Sequence, residues 1–150
     1  MLNSNDLKVI KRLMEHARTT WAELGTLLGL SGPAAADRVR KLEEMGIIKG
    51  YSALIDPEEI GCGLGALISV TLDRPENRTA FLHLVNKSSE IMECHHIAGA
   101  EDYIIKVRCS GTRDLERLIS EEIKSLPGAK TRTTIILSTI KETPILPIKV

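Results

Sequence analysis

The sequence predicts an α+β chain in two parts: three short helices, then a β-α-β-β-α-β unit. Three observations carry that prediction. Helix-start and helix-stop signals recur at close spacing before residue 50. The stretch Glu58–Gly65, EEIGCGLG, holds three glycines in five residues and reads as a hinge. Beyond it, runs of alternating β-branched residues are separated by runs of helical period. The expected parts are residues 1–60 and 61–150.

In the first part, Leu7, Ile10, Leu13, Met14 and Ala17 place an apolar face on one helix, with Asn3 or Ser4 as its cap. Thr20 and Glu23 have the spacing of a capping box. Leu24, Leu27 and Leu28 follow at helical period, and Gly29 is placed to end that helix. Ser31 caps a third helix, with Pro33 in its first turn, where the missing N–H costs nothing. Ala35, Val39 and Leu42 share one face of it, and Gly46 closes it. Helix, tight turn, helix is the geometry that lays a second helix in a DNA major groove. Ile47, Ile48, Tyr51, Ala53 and Ile55 predict a strand ending at Asp56-Pro57, which completes a winged helix-turn-helix module.

In the second part, Leu64, Ala66, Ile68, Val70 and Leu72 share one face of a strand. Pro75 opens a helix carrying Phe81, Leu82, Leu84 and Val85. Ile91–Ala98 and Tyr103–Cys109 are two further strands joined at Gly99-Ala100-Glu101. Thr112 caps a helix with Leu115, Leu118, Ile119, Ile123 and Leu126 inward, stopped by Pro127-Gly128. Thr131–Ile140 is the last strand, apolar on both faces at its end. The order is that of a ferredoxin-like split β-α-β unit. Two helices on one sheet face leave the other face and the edges open, which predicts a homodimer through this domain.

Composition bounds the function. Formal net charge is zero, so no global field selects nucleic acid, membrane or acidic substrate. No run approaches the roughly 18 apolar residues of a membrane span, and the N-terminus lacks a secretory apolar core. Cys62, Cys94 and Cys109 are an odd number without a CxxC pair, as in reduced, cytoplasmic proteins. Cys94, His95 and His96 could suggest a metal, but strand alternation sends His95 to the face opposite the other two, and no metal or other cofactor is expected. No phosphate loop, GxSxG or HExxH is present, so no catalytic residue is assigned and no enzyme is expected.

Over essentially its whole length the chain resembles the Lrp/AsnC (feast/famine) transcription regulators. The resemblance rests on LGLSGPAAADRVRKLEEMGIIKGYSALIDPEEIG, on HIAGAEDYIIKV with its G-x-x-D-Y pattern at Gly99, Asp102 and Tyr103, and on the tail IKETPILP. It implies double-stranded DNA as partner, an amino acid as effector bound where sensing domains of neighbouring subunits meet, and dimers that often assemble into octamers.

The DNA-contacting candidates are Ser31, Ala34, Asp37, Arg38, Arg40 and Lys41. Asp37 could accept from cytosine N4, an alanine could meet a thymine methyl, and the cations could take phosphate or guanine. The alanine-rich start of that helix, Ala34–Ala36, is a thin set of base readers and predicts a degenerate or shape-read site. Residues 1–60 hold eight Lys/Arg against nine Asp/Glu, so phosphate affinity must come from local placement and from pairing two copies. The alternative partner for Arg38 is a nearby acidic side chain.

The effector candidates are Gly99, Ala100, Glu101, Asp102 and Tyr103, with Thr133 and Thr134 as neighbours. Asp102 would take a ligand ammonium and backbone N–H groups its carboxylate. The same five residues also read as an ordinary β-turn. Two other functions stay open on the residues. Sirohaem decarboxylases resemble the same architecture and would use His95, His96 and Arg108 around a tetrapyrrole. A chromatin-like architectural protein would wrap DNA with little sequence preference.

Overall fold

A computed structural model describes residues 1–150. The chain separates into two compact units, Met1–Leu54 with Lys141–Val150, and Ile55–Ile140. The tail, which the sequence order attaches to the second domain, thus belongs with the first unit. There the Leu146 N–H points to the Met14 sulfur at 3.3 Å. No helix is long and apolar enough to cross a membrane.

The first unit holds α1 (Ser4–Glu15), α2 (Trp21–Leu28) and α3 (Gly32–Glu44). Each begins on the cap its sequence supplies. Asn3 and Asp6 form a reciprocal capping box, as do Thr20 and Glu23, and the Ser31 hydroxyl accepts from the Ala34 N–H at 3.2 Å. Val9, Leu13, Leu24, Ala35, Val39 and Leu42 form the core of this unit. Two glycines set the turn between α2 and α3. Gly29 adopts φ +68°, which a residue with a Cβ rarely does. At Gly25 a Cβ would stand 2.6 Å from the Leu30 carbonyl oxygen, so only glycine lets the turn close.

The strand expected across Ile47–Ile55 does not form. The segment is irregular, with Tyr51, Leu54 and Ile55 exposed. A strand needs a partner for its N–H and C=O groups, and this chain offers none there. The Tyr51 hydroxyl ties the segment to α3, donating to Glu43 Oε1 at 2.9 Å. Burial and the acceptor carboxylate push the Tyr51 phenol up to about 12.

The second unit is a four-stranded antiparallel sheet in the order β2-β3-β1-β4, built from β1 (Leu64–Leu72), β2 (Ile91–His96), β3 (Tyr103–Cys109) and β4 (Ala129–Ile136). The helices α4 (Asn77–Lys87) and α5 (Thr112–Arg117) pack on one face. Ala66, Ile68, Val70, Tyr103, Ile105, Val107 and Cys109 meet Phe81, Leu115, Leu118 and Ile123 in a single core. The α5 helix is shorter than its apolar pattern predicts. It opens after Gly111 with no side-chain cap and passes into a π turn over Leu118–Glu122, then a 3₁₀ turn over Ile123–Ser125. Arg117, at that change of winding, reaches Asp114 at 2.6 Å, Glu90 at 2.6 Å and Glu122 at 2.8 Å. Glu90 and Asp114 are both held below the usual carboxylate range: Glu90 first by a backbone hydrogen bond, Asp114 first by Arg117.

β4 ends at Ile136, not Ile140. Its partner runs out where Gly65 faces Ile136, and Leu137 and Ile140 are almost wholly exposed. β2 likewise stops at His96, before Ile97 and Ala98. The open sheet face follows from the register. Gly65, Leu67 and Ser69 stand beside Arg108, Lys106 and Ile104 on one side, and beside Ile136, Thr134 and Arg132 on the other. That face is more polar than β4 read alone predicts, with Leu67, Ile104 and Ile136 as its apolar members.

Candidate DNA interface and effector site

α3 buries Ala35, Val39 and Leu42 and turns Ala34, Asp37, Arg40 and Lys41 to solvent. The exposed residues include charges that are already partnered. The Asp37 carboxylate accepts from Arg40 at 3.4 Å and pairs with Lys41 at 3.2 Å, both from the same helix and both solvated. Two cations against one anion leave a local excess of one positive charge on a face whose unit is near neutral. Such exposed pairs exchange readily for phosphate, since each contributes little to stability. Ser31 serves as the cap of α3, which fixes its hydroxyl to the first turn.

Arg38 lies differently. Its Nη1 donates to Asp6 Oδ1 at 2.8 Å and to Asn3 Oδ1 at 3.3 Å, tying α3 to the start of α1. The Asp6 carboxyl is held below its ordinary value, first by the Asn3 N–H and then by the guanidinium. Of the two roles the sequence allows Arg38, a DNA cation or the partner of a nearby acidic side chain, the structure shows the second, which clamps α3 to α1. The capping box at Asn3-Asp6 was the signal that could have found this, because it places a carboxylate at the first turn of α1.

In the second unit, Gly99–Asp102 joins β2 to β3 at the sheet end where Val70 faces Tyr103 and Thr131. Asp102 is built into the scaffold. Its Oδ2 accepts from the Leu72 N–H at 2.8 Å, its own N–H donates to the Val70 carbonyl at 3.1 Å, and its carbonyl accepts from Ile97 at 2.9 Å. One carboxylate oxygen thus satisfies the end of β1, leaving Oδ1 for a ligand cation. Tyr103 is buried, its ring 4.8 Å from Phe81 and 5.0 Å from His96. Glu101 pairs with Arg132 of β4 at 2.5 Å. Arg132 escaped the sequence reading because a lone arginine between threonines carries no motif.

Thr133 and Thr134 do not act together. Thr133 faces Ile68 on the helix-covered side, while Thr134 faces Leu67 on the open side. Of the expected set, Glu101, Asp102 and Tyr103 stand at one end of the sheet, and the two threonines split across it. The tetrapyrrole candidates divide similarly. His95 shares the open face with Arg108 and bonds Glu93 at 3.1 Å, while His96 turns to Tyr103 on the other side. Cys94 packs against the core, and burial raises its thiol. Cys109 is buried and pushed up to about 11, chiefly by desolvation and then by Asp114.

A capped helix-turn-helix with a solvent-facing second helix, joined to a β-α-β-β-α-β domain with a loop site at one sheet end, defines a DNA-binding transcription regulator with a sensing domain. Residues 2–49 match the winged helix-turn-helix DNA-binding model, and residues 65–146 match the Lrp/AsnC ligand binding domain. The chain belongs to the Lrp/AsnC family. It is 38% identical to the HTH-type transcriptional regulator LrpA of Mycobacterium tuberculosis over 92% of this chain and 91% of that one. It is 34% identical to the leucine-responsive regulatory protein of Escherichia coli over 99% and 92%. Among solved structures, a Neisseria meningitidis transcriptional regulator in complex with L-methionine superposes with a TM-score of 0.91 at 29% identity, covering 98% of this chain and 97% of that one. A feast or famine regulatory protein of M. tuberculosis complexed with L-methionine gives 0.88 at 35% identity, covering 95% and 96%.

Proposed function

We propose that this regulator works as a homodimer that reads DNA with α3 and answers to an amino acid held at the Gly99–Tyr103 loop. The observation that carries the DNA half is the solvent face of α3, where Ala34, Asp37, Arg40 and Lys41 stand free of the core while Arg38 fixes the helix from behind. The effector half is supported by the free Oδ1 of Asp102 beside Glu101, together with the L-methionine complexes of two structural relatives. An amino acid would place its ammonium on Asp102 and its carboxylate on loop N–H groups or Arg132. Supporting the dimer are the open sheet face with Leu67, Ile104 and Ile136, the unpaired outer edge of β4, and the exposed segment at Tyr51–Ile55. Two copies would present two recognition helices to two half-sites, supplying the affinity a near-neutral unit lacks. Assembly of such dimers into an octamer and residence in the cytoplasm belong to the same reading.

Selection of bound duplexes from a random pool, with and without each common amino acid, tests both halves at once. Enrichment of a paired half-site motif, shifted by at least one amino acid, is the expected result. Calorimetry without heat from any amino acid would remove the effector reading. Light scattering that gave a monomer at micromolar concentration would remove the dimer.

A further inference from the structure

We propose that Trp21 is a DNA-contacting residue, its indole bearing on the sugar edge of the duplex where α3 enters the major groove. The inference rests on the DNA-binding reading of the first unit and extends it to a residue outside α3. Trp21 is the chain's sole tryptophan and the first residue of α2, immediately after the Thr20 cap. Its side chain remains 49% exposed, so this unit's core does not account for it. An indole left half in water gains by covering its apolar body with a partner.

Its position selects that partner. A Cβ built on Gly32 would lie 3.8 Å from both the Cβ and the carbonyl carbon of Trp21. The root of the indole therefore adjoins the first turn of α3. In a helix-turn-helix that turn meets base edges while the preceding helix crosses the backbone. Gly32, Pro33 and Ala34 project little side chain there, which leaves the neighbouring indole room to meet a sugar. On the other side of Trp21 in the chain lies an open hollow of about 400 Å³, lined by Arg12, His16, Ala17, Arg18, Thr19 and Glu23. Arg12 is already engaged there, bonding the Thr19 hydroxyl at 3.2 Å and lying 4.0 Å from Glu23. That leaves Arg18 as the cation for a phosphate, and a phosphate seated there would bring its deoxyribose toward the indole. An acidic backbone with apolar sugar edges matches this alternation of charge and aromatic surface; a purely apolar protein partner would leave Arg18 unmatched.

The sole tryptophan makes the test direct. A labelled duplex enriched from a random pool on the full-length chain is titrated with wild type, Trp21→Ala and Trp21→Phe. Anisotropy of the label reports binding, and acrylamide quenching reports access to the indole. Expected are weaker quenching in the wild-type complex, affinity lowered about tenfold by Trp21→Ala, and recovery of most of it by Trp21→Phe. The slope of affinity against salt should stay unchanged, because no charge is removed. Thermal melting should also stay unchanged, which separates lost contact from lost fold. Unaltered quenching in the saturated complex, or Trp21→Ala binding within about twofold of wild type, would overturn the proposal. A pool from which no duplex is enriched would overturn the DNA-binding reading beneath it as well.

Discussion

The two candidate sites use their charged residues in opposite ways. On α3 the carboxylate of Asp37 and the cations of Arg40 and Lys41 bond only to each other, in solvent, and the fold does not depend on them. At the sheet end, Asp102 uses one oxygen and two backbone groups to tie the start of β3 to β1 and to Ile97, just past β2. The first site can change its residues freely and so can drift in specificity. The second cannot lose its acid without loosening the strand ends that shape it.

The largest effect expected lies in neither site but in the turn that aims the first. Gly25→Ala would drive a Cβ to 2.6 Å from the Leu30 carbonyl oxygen, a backbone atom with no room to withdraw. A loss of about 2–3 kcal/mol is expected from overpacking of this kind. Chemical denaturation with a probe in each unit would show it confined to the first. Loss below about 0.5 kcal/mol would mean that α2 and α3 can splay, and the contrast between a stiff turn and a free helix face would fall.

Next in size is Asp102. Asp102→Ala strips the Leu72 N–H of its acceptor, an uncompensated group worth about 1–3 kcal/mol. Asp102→Asn keeps an oxygen for that N–H and should restore most of the stability while still weakening any ammonium ligand. Denaturation midpoints and amino-acid calorimetry on the two variants separate scaffold from site. If Asn and Ala bind the effector equally well, the carboxylate serves the fold alone.

How far sequence reached is itself set by this difference. The caps at Asn3, Thr20 and Ser31, and the stripe Ala35, Val39 and Leu42, act within a few residues of themselves, so period and spacing reveal them. The strands β1 and β3 follow from alternation, because both lie inside the sheet and bury one face. Where a partner decides, the sequence falls short. The runs at Ile47–Ile55 and Leu137–Ile140 have strand composition and no strand beside them. Glu101 to Arg132 and Asp102 to Leu72 join residues 31 and 30 positions apart, distances over which no local pattern speaks. The Thr133/Thr134 pair failed for a simpler reason: neighbours on a strand face opposite ways.

Arg38→Ala should cost about 1 kcal/mol, less than a buried pair would, because the guanidinium is partly solvated and its buried Nε has no partner to lose. The pH dependence has a definite sign. Asp6 titrates below its unfolded value, so its contribution is complete above the ordinary carboxylate range and disappears as pH falls through the folded value. The stability gap between wild type and Arg38→Ala should therefore be constant near neutrality and close below about pH 4. A gap that persisted in acid would place the role of Arg38 in packing instead of in charge.

Smallest in stability, and most telling for function, is Lys41→Ala. Its partner Asp37 keeps Arg40, and both side chains are more than half exposed, so melting should move by less than about 0.5 kcal/mol. Its effect belongs to DNA. Removing one phosphate-directed cation should lower affinity for every duplex alike and reduce the slope of log affinity against log salt by about 1 per subunit. Arg38→Ala, by contrast, should leave that slope alone, because its guanidinium is already spent on Asp6. Measuring both slopes on the same duplex sets the two arginine and lysine roles side by side. Equal slopes for the two variants would mean that the clamp opens on DNA and Arg38 turns outward to join the interface.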